Sequence, residues 1–212
     1  MTSSDFQIRP VLPAEHDALG ELSVRTYLDG GLLLGGLDDP YAPNLRDVAV
    51  RAAAATVLVA VEARAGANAQ GGSGERAGVT GQDDGGERAS ASREQRSGAN
   101  EQARQGGPVL LGGVTLAFHG SAMAQLAGPG EAEVRMLAVD PAAQGRGVGS
   151  ALAAACVERA RAEPGVKRVV LCSQEAMTTA HRLYARLGFE RAPDLDWFPL
   201  PDVRLWGFRL EL

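Results

Sequence analysis

Cysteine is scarce in this 212-residue chain: Cys156 and Cys172 are the only two. Both sit in apolar surroundings, where a thiol behaves as a small buried hydrophobe, and a disulfide scaffold is not expected. Histidine is also rare, with three scattered residues. No His/Cys spacing fits a metal site, so no metal is expected. Aromatic residues make up 5% of the chain and leave the core to aliphatic side chains, within an apolar fraction of 45%. A basic excess is missing too. The net charge of −5 argues against a general nucleic-acid surface, so a polyphosphate would have to be attracted locally. No run is long enough to span a membrane. The opening "MTSSDFQIRP" lacks the charged and apolar parts of a signal segment, so a cytoplasmic location is expected.

Apolar residues fail altogether in one stretch. Residues 63–107 contain no Leu, Ile, Phe, Tyr, Trp or Met, and their six arginines balance six acids. Such a segment cannot bury enough apolar surface to offset its ordering entropy. It is expected to be a disordered insertion within a single domain spanning residues 1–212. A Gly-Ser bridge from Glu62 to Val109 should therefore leave thermal stability and ligand affinity nearly unchanged. A stability loss above about 2 kcal/mol in a melting experiment would show that the segment packs on the domain.

What is present is most informative around "EVRMLAVDPAAQGRGVGSAL", which starts at Glu133. Val134 to Val139 is mostly apolar and reads as a strand. Asp140-Pro141 starts a turn, Gly145, Gly147 and Gly149 follow, and an Ala-rich helix pattern begins near Val148 and ends at Pro164-Gly165. A glycine loop leading into a helix N-terminus leaves main-chain N–H groups and the positive end of the helix dipole free for an anion. The loop ends in Val148-Gly149-Ser150 without a lysine, so it is not a nucleotide-hydrolase loop. Its G-x-G-x-G spacing also departs from the dinucleotide fingerprint.

The run Glu133 to Gly149, with Gln144, Gly147 and Gly149 in place, resembles the acetyl-CoA motif of the GNAT superfamily of N-acetyltransferases. A second block, "AHRLYARLGFER" from Ala180 to Arg191, is similar to the same family's late helix and strand. The resemblance implies an α/β fold of the α+β kind, with a central mixed, mostly antiparallel sheet flanked by helices and splayed at the motif strand. The order of apolar and helical patterns agrees, with helices expected from Pro13 to Tyr27 and from Asn44 to Ala54.

By that resemblance, acetyl-CoA is the co-substrate and a primary amine on a small molecule or peptide is the acceptor. No nucleic-acid or membrane partner is implied, and the chain would act as a monomer or homodimer. The alternative is a CoA-binding regulatory module without transfer activity. Pantetheine would lie along main-chain groups of Leu137, Ala138 and Val139. Pyrophosphate would meet Gln144, Gly145, Arg146, Gly147, Val148, Gly149 and Ser150, with Arg146 either a phosphate clamp or a solvated charge. Glu133 is the candidate base, sharing strand parity with Arg135, Leu137 and Val139; it could equally be a strand-end carboxylate, and Glu131 competes with it. Tyr184 is the candidate acid for the departing thiolate, or else a packed helix-end residue. Met177 stands where many family members carry Asn, so Ser173 would have to supply that hydrogen bond. His181 reads as a helix-surface residue. The acceptor walls are expected in residues 27–44 and 193–201, where Tyr27, Tyr41, Asp38, Asp39, Asp196, Trp197 and Phe198 stand. Acids there would suit a cationic amine.

Overall fold

Alternation of apolar residues builds one sheet in the computed structural model, which describes residues 5–63, 108–201 and 203–212. The segment expected to be a disordered insertion lies outside the described residues, apart from Ala63. The strands are β1 (Phe6–Pro10), β2 (Thr56–Glu62), β3 (Leu110–Phe118), β4 (Glu131–Val139), β5 (Arg168–Gln174), β6 (Glu190–Arg191), β7 (Trp197–Leu200) and β8 (Val203–Glu211). Among the described residues they run in the order β1-β2-β3-β4-β5-β8-β6, with β7 paired to β8. Only β4 and β5 pair in parallel; the other pairs are antiparallel. This is the mixed, mostly antiparallel sheet that the family resemblance implies.

Helices cover both faces. On one face lie α1 (His16–Asp29), α2 (Ala42–Arg46) and α3 (Val48–Ala54). Leu19 and Leu22 of α1 pack with Val57, Val59 and Ala138 of the sheet, and Val24 packs with Leu45 and Met136. The helix expected over 44–54 is in fact two. Asp47 leaves helical geometry at ψ 76°, and its carboxylate caps α3 by accepting the Val50 N–H at 3.0 Å. On the other face α4 (Val148–Ala162) buries Val148, Leu152, Cys156 and Ala160. Burial pushes the Cys156 thiol up to about 12, which makes it an inert core group. Helix α5 (Thr178–Arg186) follows β5.

Two features of β4 position the site. It pairs with β5 only from Glu131 to Val134, opposite Arg168 to Leu171. Beyond Val134 the strands part, which is the expected splay. The second feature is a bulge. Gly113 faces Ala138 while Thr115 faces Arg135, so β4 carries one extra residue, and Met136 takes φ 55°. The extra residue inverts the alternation. Arg135 lies opposite Thr115, which bonds Arg51 of α3, and Met136 and Ala138 pack against the α1–α2 layer. Val139 instead points towards Gly149 of α4. The expectation that Glu133 and Arg135 share a face with Leu137 and Val139 is therefore corrected.

Candidate active site

The glycine loop connects β4 to α4. Gly145 and Gly147 adopt φ 78° and 83°, a left-handed conformation that glycine takes without a steric cost. A Cβ at either position would have nothing within 4 Å, so the loop faces open space. Gly149 has a different role: a Cβ there would lie 3.3 Å from Leu183 of α5, so it lets the helices approach. Gly147 is the α4 N-cap and supplies no side-chain cap. Among the described residues, the N–H groups of Gly145, Gly147, Val148, Gly149 and Ser150 have no carbonyl partner. Asp140 holds the preceding turn by accepting the Ala142 N–H and pairing with Arg25 at 2.8 Å. Arg146 pairs with Glu62 at 3.2 Å and so is held at the loop's flank. These donors and the open cradle fit a pyrophosphate.

The parted strands leave a main-chain edge. Asp140 donates its N–H to Leu111 of β3 at 2.9 Å. Alternation then turns the main-chain groups of Val139 away from β3, towards the gap left by β5.

A cavity of about 360 Å³ opens at that gap. Tyr27, Asp39 and Tyr41 line it from the α1–α2 side. Arg135, Met136 and Leu137 line it from β4, with Cys172, Ser173 and Gln174 from β5, and Trp197 and Leu205 from the β7–β8 hairpin. Tyr184 closes one wall and is 5% exposed. Among the described residues its hydroxyl has no hydrogen-bond partner. Burial, then the nearby Cys172, pushes its phenol above the ordinary value, so it stays protonated through the physiological range. Ser173 donates to the Met177 sulfur at 3.4 Å, which joins these two residues on the cavity wall. Burial also raises the half-buried Cys172 thiol.

Glu133 does not line this cavity. It is 1% exposed, and its Oε2 accepts the N–H groups of Gln125, Leu126 and Ala127 at 2.6, 2.7 and 3.3 Å. Its Oε1 lies 3.6 Å from Arg135 Nε. The carboxylate is an anchor for the β3–β4 loop, and Glu131 supports it by accepting the Gly128 N–H. This placement overturns the reading of Glu133 as a solvated strand-end carboxylate; as the candidate base it would have to act while holding three main-chain donors. Strand position alone carries no sign of it, because the donors come from a loop that folds back over the strand. Glu133→Gln should cost about 1–3 kcal/mol of stability, since an amide cannot match an anion against three donors. Any loss in kcat/KM should be the same at every pH. A loss that fades as pH rises would restore the base role.

The other acids are also occupied. Asp39 closes its own loop, accepting the Gly35 and Tyr41 N–H groups at 3.1 and 2.9 Å. Asp196 accepts the Gly207 N–H and pairs with Arg191 and Arg204. Arg191 in particular holds its carboxyl below the ordinary range. Asp38 and Phe198 do not line the cavity, and Phe198 is 60% exposed. His181 turns to the β8 side, with Nε2 3.1 Å from the Gln174 carbonyl and its ring stacked on Trp206. The residue that reading the sequence missed is Arg135, whose face is set by the bulge. Among the described residues no group of three or more His, Cys, Asp or Glu could hold a metal, and no helix is long and apolar enough to cross a membrane.

A splayed β4, a glycine loop with unpartnered N–H groups among the described residues and a cavity at the split fit the GNAT architecture. The acetyltransferase (GNAT) family model matches residues 85–189, and the chain belongs to that family. Mycothiol acetyltransferase of Salinispora tropica is 44% identical over 82 residues, 37% of this chain and 26% of that protein. Mycothiol acetyltransferase of a Nocardioides species is 38% identical over 98 residues, 45% of this chain and 33% of that protein. The chain thus spans about a quarter to a third of the curated relatives it matches. Among solved structures, a GCN5-related N-acetyltransferase from Kribbella flavida aligns with TM-score 0.56 and 20% identity over 98% of both chains. A phosphinothricin acetyltransferase from Sinorhizobium meliloti, in complex with acetyl-CoA, aligns with TM-score 0.59 and 14% identity over 98% of this chain and 89% of that one. At these identities the structural likeness establishes the fold.

Proposed function

We propose that this chain transfers the acetyl group of acetyl-CoA to a primary amine bound in the cavity. One observation carries the reading: Tyr184, whose hydroxyl has no hydrogen-bond partner among the described residues, lines a cavity bordered by the open β4 edge. The loop N–H groups from Gly145 to Ser150 would hold the pyrophosphate, and Leu137 and Val139 would bond the pantetheine arm. The amine then attacks the thioester carbonyl. A C–N bond forms, the C–S bond breaks, and the Tyr184 phenol gives the departing thiolate its proton. The phenol is reprotonated from solvent.

The amine must reach this step as the free base. A lysine-like amine at pH 7.4 is only about one part in a thousand unprotonated, a cost near 4 kcal/mol. Each carboxylate near the cavity is already hydrogen-bonded to main-chain groups, so the proton leaves through water. We predict that kcat/KM rises with pH towards the pKa of the acceptor amine. The raised Tyr184 phenol should impose no falling limb below about pH 10. A pH–rate profile that levels off near neutrality would point to a protein base instead.

The occupation of Asp39, Glu133 and Asp196 by main-chain N–H groups favours one other reading, a CoA-binding module that transfers nothing. Thiol release from acetyl-CoA, followed across a panel of amines, separates the two. Amine-dependent release supports transfer; tight acetyl-CoA binding with no release supports the module. The name of the mycothiol acetyltransferases suggests one acceptor to include in that panel.

A further inference from the structure

Among the described residues the cavity is lined by one guanidinium and one carboxylate, and the carboxylate is already occupied. The guanidinium is that of Arg135. Its side chain is 10% exposed, and it lines the cavity. Its Nη1 donates to the Met123 carbonyl, while the Glu133 oxygen near Nε is 3.6 Å away, too far for a good hydrogen bond. Among the described residues Nη2 has no acceptor. The Tyr41 hydroxyl lies beside this guanidinium. Tyr27 adds a second phenol to the same wall, its ring 6.2 Å from that of Tyr41.

Behind the phenols sits a second cation. Arg51 is 1% exposed and donates to Thr115 Oγ1 and the Leu45 carbonyl at 3.0 and 2.8 Å, both neutral groups. Among the described residues it makes no salt bridge, and its Nε is without a partner. A buried guanidinium lacking a direct carboxylate raises the local potential and favours an anion nearby. The negative side chain that lines the cavity, Asp39, has both oxygens bound to main-chain N–H groups. Asp39, one of the acids expected to suit a cationic amine, is therefore already occupied by its own loop.

Resting on the transfer reading above, we infer that the acceptor carries a carboxylate as well as its amine, and that Arg135, Tyr27 and Tyr41 receive that carboxylate. A guanidinium whose Nη2 has no acceptor among the described residues can give one carboxylate oxygen a charge-assisted hydrogen bond, and the phenols of Tyr41 and Tyr27 can serve the other oxygen. The remaining walls are apolar, including Leu32, Leu34, Met177, Trp197, Leu200 and Leu205. They fit an apolar substituent between the charged groups, as in an amino acid with an apolar side chain.

The test compares matched ligands on the full chain with CoA present. Calorimetry would measure leucine, methionine and phenylalanine, each against its carboxamide and the amine lacking the carboxyl group. At least one amino acid should bind tenfold or more tightly than both analogues. Arg135→Gln should reduce that preference to within twofold while the acetyl-CoA Kd changes less than twofold. Tyr41→Phe should reduce it partway. If no amino acid outranks its carboxamide, the inference is overturned, whether or not these amines are acetylated. If the preference is present without turnover, the carboxylate site stands and the transfer reading fails. Should Arg135→Gln not fold, the comparison on the unaltered chain decides alone.

Discussion

Tyr184→Phe should lower turnover about 100-fold while acetyl-CoA affinity stays within a few fold. The substitution removes one hydroxyl and keeps the ring, which packs against Phe189 and Phe208 with centroids 5.9 and 5.8 Å away. Among the described residues that hydroxyl makes no hydrogen bond, so its loss leaves no orphaned partner and stability should change little. The deficit should shrink when the acyl donor has a more acidic leaving thiol, because such a thiolate needs less proton donation. Steady-state kinetics with a slow chemical step check both parts. Full turnover in the variant would leave Tyr184 as a packing residue and pass the proton to water.

Gly147→Asp is expected to weaken acetyl-CoA binding at least tenfold, or about 1.4 kcal/mol. At φ 83° any side chain is strained, and a carboxylate at the α4 N-cap would sit beside the N–H groups that should meet the pyrophosphate. Gly147→Ala separates these effects. It carries the backbone strain without the charge, so it should lower stability by about 1–2 kcal/mol and cost less affinity than the aspartate. Calorimetry showing equal affinity in all three proteins would reject this loop as the phosphate site.

The glycine loop was legible because its chemistry is local. The turn at Asp140-Pro141, the run of glycines and the Ala-rich helix after it are adjacent in sequence, and the structure gives that loop and a helix from Val148. The mixed, mostly antiparallel sheet and its splay were legible only through the family resemblance. The face of Glu133 was not legible. It depends on a bulge whose extra residue puts a methionine, not a glycine, at φ 55°, and nothing in "VRMLAV" announces that. The anchoring of Glu133 depends on loop N–H groups from Gln125 to Ala127, a tertiary arrangement. Asp39 misled for a related reason, because its carboxylate closes a turn within its own loop and does not serve a ligand. The cavity's positive side needs Arg135 on its wall and Arg51, far away in sequence, buried near Tyr27 and Tyr41.

The most direct measurement of the central claim is mass spectrometry of the acceptor after incubation with isotopically labelled acetyl-CoA and the full chain, alongside thiol release. Acetyl transfer in this cavity predicts labelled N-acetyl product in equal amount to free CoA thiol, with both falling together in Tyr184→Phe. Labelled acetyl-CoA that binds tightly yet returns intact with every amine tested would contradict it.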